Sequence, residues 1–279
     1  MTLRILPASV VGDLRRLEPL ATRIFGHGDR PEGWFARKLH RECVDPSLSR
    51  LAVDGDAEDP RSWRGYVLVG TPSSVAPAAR TSGTGVVPNA RGQGIGHQLI
   101  REAFAAVLRA GFSAMQVPAD PERASFYLRL GFEPIRNEVT LLTFGTGDSD
   151  PSWGMNAPWS LRRERVLGQW IKEAWMRGDT QSQTEVTVRG PQARLRALVS
   201  REGQARVAHR VLLSGEALTE DEVLDLLEGF RAQFAEGSPL LLLGFPSYLP
   251  LVGRLVEDGW SVAQRSQIME RRIEDGFLR

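Results

Sequence analysis

Apolar residues recur with a helical period directly after a glycine-rich loop in the first half of the chain. Residues 85–96 read GVVPNARGQGIG, in which Val86 and Val87 are β-branched strand formers and Pro88 ends the strand. The glycines then fall at every second position. One helical face follows, formed by the apolar residues Ile95, Leu99, Ile100, Ala103, Phe104, Val107 and Leu108. The pattern predicts a strand, a glycine loop and a helix.

The rest of the first half predicts short strands and helices around this loop. Strands are expected at 2–7, 48–53, 65–69, 112–117 and 139–144. Two helices are expected between the first two strands, and residues 71–83 are expected to form a flexible crossing. Gly83 and Gly85 precede the loop, where glycine within a strand predicts a bulge or a close approach of the backbone by a ligand.

The second half repeats this order of elements after a linker at 145–159 that is rich in Gly, Pro, Asp and Ser. The expected elements are a helix that Ser160 caps, strands at 184–188, 194–200 and 206–213, a helix with a Thr219 and Glu222 capping box, a strand at 240–243 and a helix at 247–258. A shift of 128 positions (259 minus 131) carries Gly131-Phe132 onto Gly259-Trp260. No residue motif supports this repeat, so a chance likeness of two α/β halves is the alternative.

Length and composition indicate a two-domain globular protein. The chain has 279 residues, 42% hydrophobic and 25% charged, with a net charge of +1 that gives no general attraction to nucleic acid or anionic lipid. A single cysteine, Cys43, excludes an internal disulfide, and the histidines show no metal-ligand spacing, so no metal is assigned. The first residues lack the apolar core of a signal peptide, which favours a cytoplasmic location.

The glycine loop has the chemistry of an anion site. Unpaired amides at a helix start and the helix dipole both favour negative charge, and Arg91 adds a cationic fork. A nucleotide-binding Walker A loop would need Lys and then Ser or Thr after the last glycine, where His97 and Gln98 stand. A dinucleotide fingerprint would need GxGxxG and an acidic residue ending the next strand, whereas the sequence has GxGxG and that strand ends near 115–117.

Two motifs between residues 85 and 134 resemble the GNAT superfamily of acetyl-CoA-dependent N-acetyltransferases. RGQGIG (91–96) resembles the family's pyrophosphate loop, which is Arg or Gln, two residues, Gly, one residue, and Gly or Ala. DPERASFYLRLGF (120–132) resembles its short second helix, with Asp120 as an expected N-cap and a match in register at Ala124, Tyr127, Gly131 and Phe132. The Asn common at the start of that helix is replaced by Pro121, which removes one side-chain contact to the cofactor.

The resemblance implies an α/β (α+β) fold with a mixed, mostly antiparallel, splayed sheet flanked by helices, duplicated if the repeat holds. Residues 1–147 would be a GNAT-like, acetyl-CoA-binding catalytic domain. Residues 148–279 would be a degenerate GNAT-like domain, in which an acidic segment at 214–222 replaces the cofactor loop. The cofactor-binding positions it implies are Gly85, Val86, Val87, Arg91, Gly92, Gln93, Gly94, Ile95, Gly96, His97, Ala124 and Ser125.

The resemblance also implies roles in catalysis and acceptor binding. Tyr127 would protonate the departing thiolate, although its ring could instead only pack between Phe126 and Leu130. The first two helices would wall the acceptor site, which makes Glu32, Trp34 and His40 substrate-binding candidates; the alternative is surface charges flanking a buried aromatic. No carboxylate lies at 81–87, so the base is left open between Glu32, Asp54, a water chain and no base at all.

The expected function is an N-acetyltransferase that moves the acetyl group of acetyl-CoA to an amine of a small molecule or a protein. The alternative is a non-catalytic acyl-CoA sensor or interaction module. No nucleic-acid or membrane partner is expected, and a homodimer is left open.

Overall fold

A computed structural model describes residues 3–26, 30–71, 78–147, 183–215, 218–247 and 249–273. The predicted linker beyond 147 and the helix predicted to start at Ser160 lie outside the described residues. The chain divides into two compact units, the first of Met1–Ile135 with Ile268–Arg279 and the second of Arg136–Gln267. Among the described residues, no helix has both the length and the hydropathy that crossing a membrane would require.

The described strands and helices follow the predicted order as far as the helix predicted at 247–258, and a final strand that the sequence pattern did not predict comes after it. They are β1 (Arg4–Pro7), α1 (Glu18–Phe25), α2 (Trp34–Arg41), β2 (Arg50–Val53), β3 (Trp63–Gly70), β4 (Ala78–Val86), α3 (Ile95–Arg109), β5 (Ala114–Ala119), α4 (Ala124–Leu128), β6 (Glu133–Phe144), β7 (Gln183–Arg189), β8 (Ala193–Glu202), β9 (Ala205–Gly215), α5 (Glu220–Arg231), β10 (Pro239–Pro246), α6 (Leu249–Glu257) and β11 (Ser261–Arg272).

The sheet of the first unit is antiparallel through β1, β2, β3 and β4, and β5 then runs parallel to β4. Its core is built from fully buried aromatic side chains, among them Phe35, Trp63 and Phe132. The helix α3 buries the predicted apolar face, including Leu99, Ile100 and Ala103. The fold class is therefore the predicted one, a mixed and mostly antiparallel sheet flanked by helices.

The strands β4 and β5 pair only at one end. Their ladder runs from Ala78 opposite Ala114 to Arg80 opposite Gln116, while the two strands continue to Val86 and Ala119. The prediction of a flexible crossing was wrong for 78–83, which lies in β4. The strand β5 pairs with Ala78–Arg80 and β3 pairs with Arg80 and Thr81, and this pairing outweighs the low strand propensity of the Gly and Ser residues that follow.

A bulge lies in β4 at the end of this ladder. Against β3, Thr84 pairs with Val67 and Thr81 with Val69, so Ser82 and Gly83 together oppose one residue. Gly83 has a φ of 122°, a conformation that favours glycine. The bulge predicted from the glycine is confirmed, and it marks the point where β4 leaves β5.

The last strand of the first unit comes from the C-terminal part of the chain. Met269 is fully buried in the core of this unit, and Gln116 Nε2 donates a 2.7 Å hydrogen bond to Glu270 Oε2. The backbone N–H of Ile273 donates to the Ser113 carbonyl at 3.0 Å. Residues 268–272 therefore complete the unit that contains the glycine loop. That residues 1–147 alone form the catalytic domain stays a prediction.

The second unit has a bulged and diverging pair of strands of its own. In it β9 and β10 are parallel from Arg206 opposite Leu240 to Ala208 opposite Leu242, and beyond this point the two strands continue without pairing to each other. In the pairing of β9 with β8, Ala208 lies opposite Val199 and Arg210 opposite Leu198, so His209 is the extra residue of a bulge. This bulge directly follows Ala208, where the ladder between β9 and β10 ends. The helices α5 and α6 supply buried apolar side chains to the core.

Candidate functional site

The glycine loop leads from β4 into α3 with an open outer surface. Gly92 and Gly94 have φ values of 78° and 76°, and a Cβ added at either would meet no atom within 4 Å. Glycine adopts this backbone conformation without strain, and the absence of side chains leaves the backbone accessible. A ligand can therefore reach the loop's peptide groups directly.

The amides of this loop are unpaired. In the part of the chain that the structure describes, the backbone N–H groups of Gly92 to His97 donate to no protein acceptor, and the first helical bond runs from Gln98 N to Gly94 O at 3.1 Å. They lie at the start of a 15-residue helix, whose dipole adds positive potential. The loop thus has the geometry of an anion site.

Arg91 fixes the loop to its surroundings. Its Nε donates to the Val86 carbonyl at 3.0 Å and its Nη2 to the Ile24 carbonyl at 3.2 Å, so that one guanidinium joins the ends of β4 and α1. The sequence predicts phosphate binding for this side chain. The structure adds a positioning role, while its contact with a phosphate stays a prediction.

The other predicted cofactor positions differ in their accessibility. Val87 is buried, Val86, Ala124, Gly96 and His97 are half-buried, and Ser125 and Gln93 are exposed. A Cβ on Gly96 would lie 3.4 Å from the Phe126 ring, which the His97 ring also contacts edge-on. These contacts join the start of α3 to α4.

Gly85 is a glycine for a packing reason. A Cβ at this position would overlap the Cγ2 atom of Ile24, and the Phe25 ring lies 3.1 Å away. The predicted close approach at Gly85 is thus made by α1 of the same protein. Whether a ligand also contacts this backbone stays a prediction.

We expect Gly85→Ala to destabilise the protein by about 1–3 kcal/mol, the usual cost of overpacking a well-filled site. Thermal unfolding would measure it. Gly253 in α6 is a suitable control because a Cβ there meets nothing within 4 Å. Gly253→Ala should raise stability by about 0.5–1 kcal/mol through its helix propensity. Equal effects of the two substitutions would contradict the packing role of Gly85.

Tyr127 projects from α4 into the aromatic core of the first unit. It is 8% exposed, and its ring centroid lies 5.0 Å from that of Phe126 and 5.9 Å from that of Phe132. Burial raises the pKa of the Tyr127 hydroxyl, an effect that Thr84 and Arg123 partly offset. The hydroxyl therefore keeps its proton at neutral pH. Beside it, Thr84 Oγ1 is buried without a hydrogen-bond partner.

The predicted acceptor residues lie on and just before α2. Glu32 and His40 are exposed, and Trp34 is half-buried with the Arg30 guanidinium 4.1 Å from its ring centroid. Asp54, a candidate base, forms an ion pair with Arg64 at 3.4 Å. Among the described residues, no hydrogen bond, ion pair or ring contact joins Glu32, Trp34 or His40 to Tyr127, so their role stays a prediction.

Sequence reasoning missed Glu42 and Ser82. Glu42 follows α2 and accepts a 2.6 Å hydrogen bond from Lys38 Nζ. Burial raises the pKa of Glu42, but Lys38, Arg41 and Ser82 together lower it to about 2, so the carboxylate is ionised at neutral pH. Ser82 is 3% exposed, and its Oγ lies near the Glu42 carboxylate without a hydrogen bond of normal geometry. The Lys38 and Glu42 spacing was visible in the sequence, but its proximity to β4 was not.

The corresponding helix start in the second unit is closed by its own side chains. The predicted capping box is confirmed, since Thr219 Oγ1 accepts from Glu222 N at 3.2 Å and Glu222 Oε2 accepts from Thr219 N at 3.0 Å. Asp221 pairs with Arg254 at 2.7 Å. Within the described ranges, no group of three or more His, Cys, Asp or Glu side chains could hold a metal ion.

A bulged strand leaves its parallel neighbour here and leads into a glycine loop with unpaired amides. Residues 58–134 match the family model described as acetyltransferase (GNAT) domain. Residues 58–134 are thus similar to a GNAT acetyltransferase domain, and this domain indicates an acyltransferase. No curated protein matches the chain.

Solved structures share this fold over nearly the whole chain. A GCN5-related N-acetyltransferase from Sphaerobacter thermophilus has a TM-score of 0.59 at 13% identity, covering 98% of this chain and 96% of its own. One from Anabaena variabilis has a TM-score of 0.55 at 13% identity, covering 98% and 73%. A tandem GNAT protein from the clavulanic acid biosynthesis pathway has a TM-score of 0.56 at 12% identity, covering 97% and 98%.

Proposed function

We propose that this protein is an N-acetyltransferase that transfers the acetyl group of acetyl-CoA to an amine of a small molecule or a protein, using its first half. One observation carries the proposal. The free amides of Gly92 to His97 lie at the start of a 15-residue helix, directly after a strand that has left its parallel neighbour. The match to a GNAT domain supports the class of reaction.

Acetyl-CoA fits the residues present. Its pyrophosphate is an anion, and the loop offers unpaired amides with open space at Gly92 and Gly94. Gly92, Gln93, Gly94, Ile95, Gly96 and His97 would hold that group, with Arg91 fixing the loop. When bound, acetyl-CoA supplies the acetyl group as an activated thioester.

Tyr127 is the proposed general acid. Its hydroxyl is protonated at neutral pH because burial raises its pKa, and it would give that proton to the departing sulfur. The net transfer breaks the carbon–sulfur bond, forms a carbon–nitrogen bond and leaves one amine proton on the thiol. No carboxylate occurs at 81–87, an observation that favours the second candidate, a non-catalytic acyl-CoA sensor.

A screen of amine acceptors separates the two candidate functions. Purified protein, acetyl-CoA and a panel of small amines and peptides would be assayed for free CoA thiol, with mass spectrometry of the product. We expect at least one amine to gain an acetyl group. Tight CoA binding with no thiol released above background across the panel would support the sensor instead.

We further infer that residues 148–279 form a degenerate GNAT-like domain that binds no CoA. The bulged, diverging strands of the second unit support the common fold, and its capped, acidic helix start supports the loss of the anion site. The proposals of a cytoplasmic protein without nucleic-acid or membrane partners rest on the sequence alone.

Calorimetry of the full chain with acetyl-CoA is expected to give one equivalent bound per chain. The physical reason is that Glu220, Asp221 and Glu222 in the first turn of α5 repel a pyrophosphate, while the capping box occupies its amides. Titration to two equivalents would contradict the degenerate second site.

A further inference from the structure

The last strand of the first unit contacts β5 at the point where β4 and β5 separate. The ladder between β4 and β5 ends with Arg80 opposite Gln116. Gln116 Nε2 donates a 2.7 Å hydrogen bond to Glu270 Oε2 of β11, which lies 154 positions further along the chain. Gln116 is therefore both the last residue of that ladder on β5 and a direct contact with β11.

Beyond this pair a gap opens between the two strands. The strand β4 continues from Thr81 to Val86 without pairing to β5, and it leads to the glycine loop. The backbone groups on that edge of β4 are available to a ligand that carries amides of its own. Acetyl-CoA has amide groups between its pyrophosphate and its thioester, so a cofactor held at the loop would extend along the gap.

The Glu270 carboxylate is fixed by a partner at each of its oxygens. Oε2 accepts from Gln116 Nε2, and Oε1 accepts from Arg272 Nε. Glu270 is 6% exposed, whereas the Arg272 side chain is 77% exposed. Hydrogen bonds to a charged group are stronger than those between neutral groups, and salt screens them less at a buried site. The carboxylate therefore holds the Gln116 amide in one position.

A second contact fixes β11 on the other face of the sheet. Successive residues of a strand alternate between faces, so Arg271 lies on the face opposite Glu270. The Arg271 guanidinium lies 4.4 Å from the centroid of the Phe104 ring in α3, and its Nε lies 3.5 Å from the position of a Cβ on Gly131. Arg271 thus joins β11 to α3, while Glu270 joins it to β5, so the two contacts can be changed separately.

We propose that Glu270 is a positioning residue of the acetyl-CoA site. Through Gln116 it holds β5 at the last pair of the ladder, and it thereby sets the width of the gap that receives the cofactor. This inference rests on the function proposed above and adds to it a residue of β11. Cofactor binding by the first half would then depend on a side chain that a boundary at 147/148 assigns to the second half.

Exchanging the amide and the carboxylate tests this role in the full-length protein. Gln116→Glu sets two carboxylates against each other, and we expect CoA affinity, measured by calorimetry, to fall roughly 10-fold, the scale of one lost hydrogen bond to a charged group. The double variant with Gln116→Glu and Glu270→Gln restores the hydrogen bond with donor and acceptor exchanged. Its CoA affinity should return to within about 3-fold of the wild-type value. Gln264→Glu, at an exposed position of the same strand, is the charge-matched control and should change nothing.

Arg271→Met separates a positioning role from stability alone. It removes the cation beside the Phe104 ring, so it should lower the melting temperature, but it leaves the contact between Glu270 and Gln116 in place. CoA affinity should therefore stay at the wild-type value in this variant. Hydrogen exchange of the free protein gives a further readout, since the β5 amides should exchange faster in Gln116→Glu and recover in the double variant.

Three results would each overturn the proposal if the wild type binds CoA. They are wild-type CoA affinity in Gln116→Glu, no recovery of affinity in the double variant, and a loss of affinity in Arg271→Met equal to that in Gln116→Glu. No CoA binding by the wild type would be a different result, because it would overturn the function proposed above and this inference together with it.

Discussion

Gly94→Glu is expected to abolish acetyl-CoA binding. Gly94 is the N-cap of α3, and the surrounding amides of residues 92–97 are free. A glutamate side chain would cover these amides and add a negative charge at the site where the pyrophosphate is expected. Losing one or two hydrogen bonds to a charged group weakens binding by roughly 10²-fold or more. Calorimetry with CoA would measure the change.

Gly237 provides a matched control for this substitution. Gly237 has a φ of 71° and, like Gly94, meets no atom within 4 Å of an added Cβ. Gly237→Glu thus imposes the same backbone strain and the same charge in the second unit, and CoA affinity should stay at the wild-type value. Equal CoA binding by the wild type and Gly94→Glu would show that the loop is not the cofactor site.

Tyr127→Phe is expected to lower turnover by roughly 10²-fold or more, the range usual for loss of a general acid. The substitution keeps the ring and its contacts with Phe126 and Phe132, and removes only the hydroxyl. Because those contacts persist, acetyl-CoA affinity and the melting temperature should stay nearly unchanged. Steady-state release of CoA thiol with an identified acceptor is the measurement.

Removing the hydroxyl of another buried tyrosine tests whether the loss of turnover is specific to Tyr127. Tyr66 is 2% exposed, and burial raises its pKa as it does for Tyr127. Tyr66→Phe should change turnover less than about 10-fold, which is below the range of general-acid loss. Wild-type turnover in Tyr127→Phe would assign that residue to the core and leave the proton donor open.

The sequence by itself determined the local parts of the site. The glycine spacing predicted the loop before α3, the helical period predicted which face of α3 is buried, and Gly83 predicted the bulge in β4. The capping box at Thr219 and Glu222 was also predicted correctly. Each of these features depends on residues within about four positions of one another, where periodicity, caps and backbone conformation act.

Only the tertiary structure decided which distant residues meet. It made 78–83 part of a strand by pairing its first residues with β5 and β3, and it took the last strand of the first unit from 268–272. It also placed Ile24 against Gly85, and Glu42 beside Ser82, which no sequence pattern marks. These contacts join residues tens of positions apart, and the burial of apolar surface across the whole fold selects them rather than any local preference.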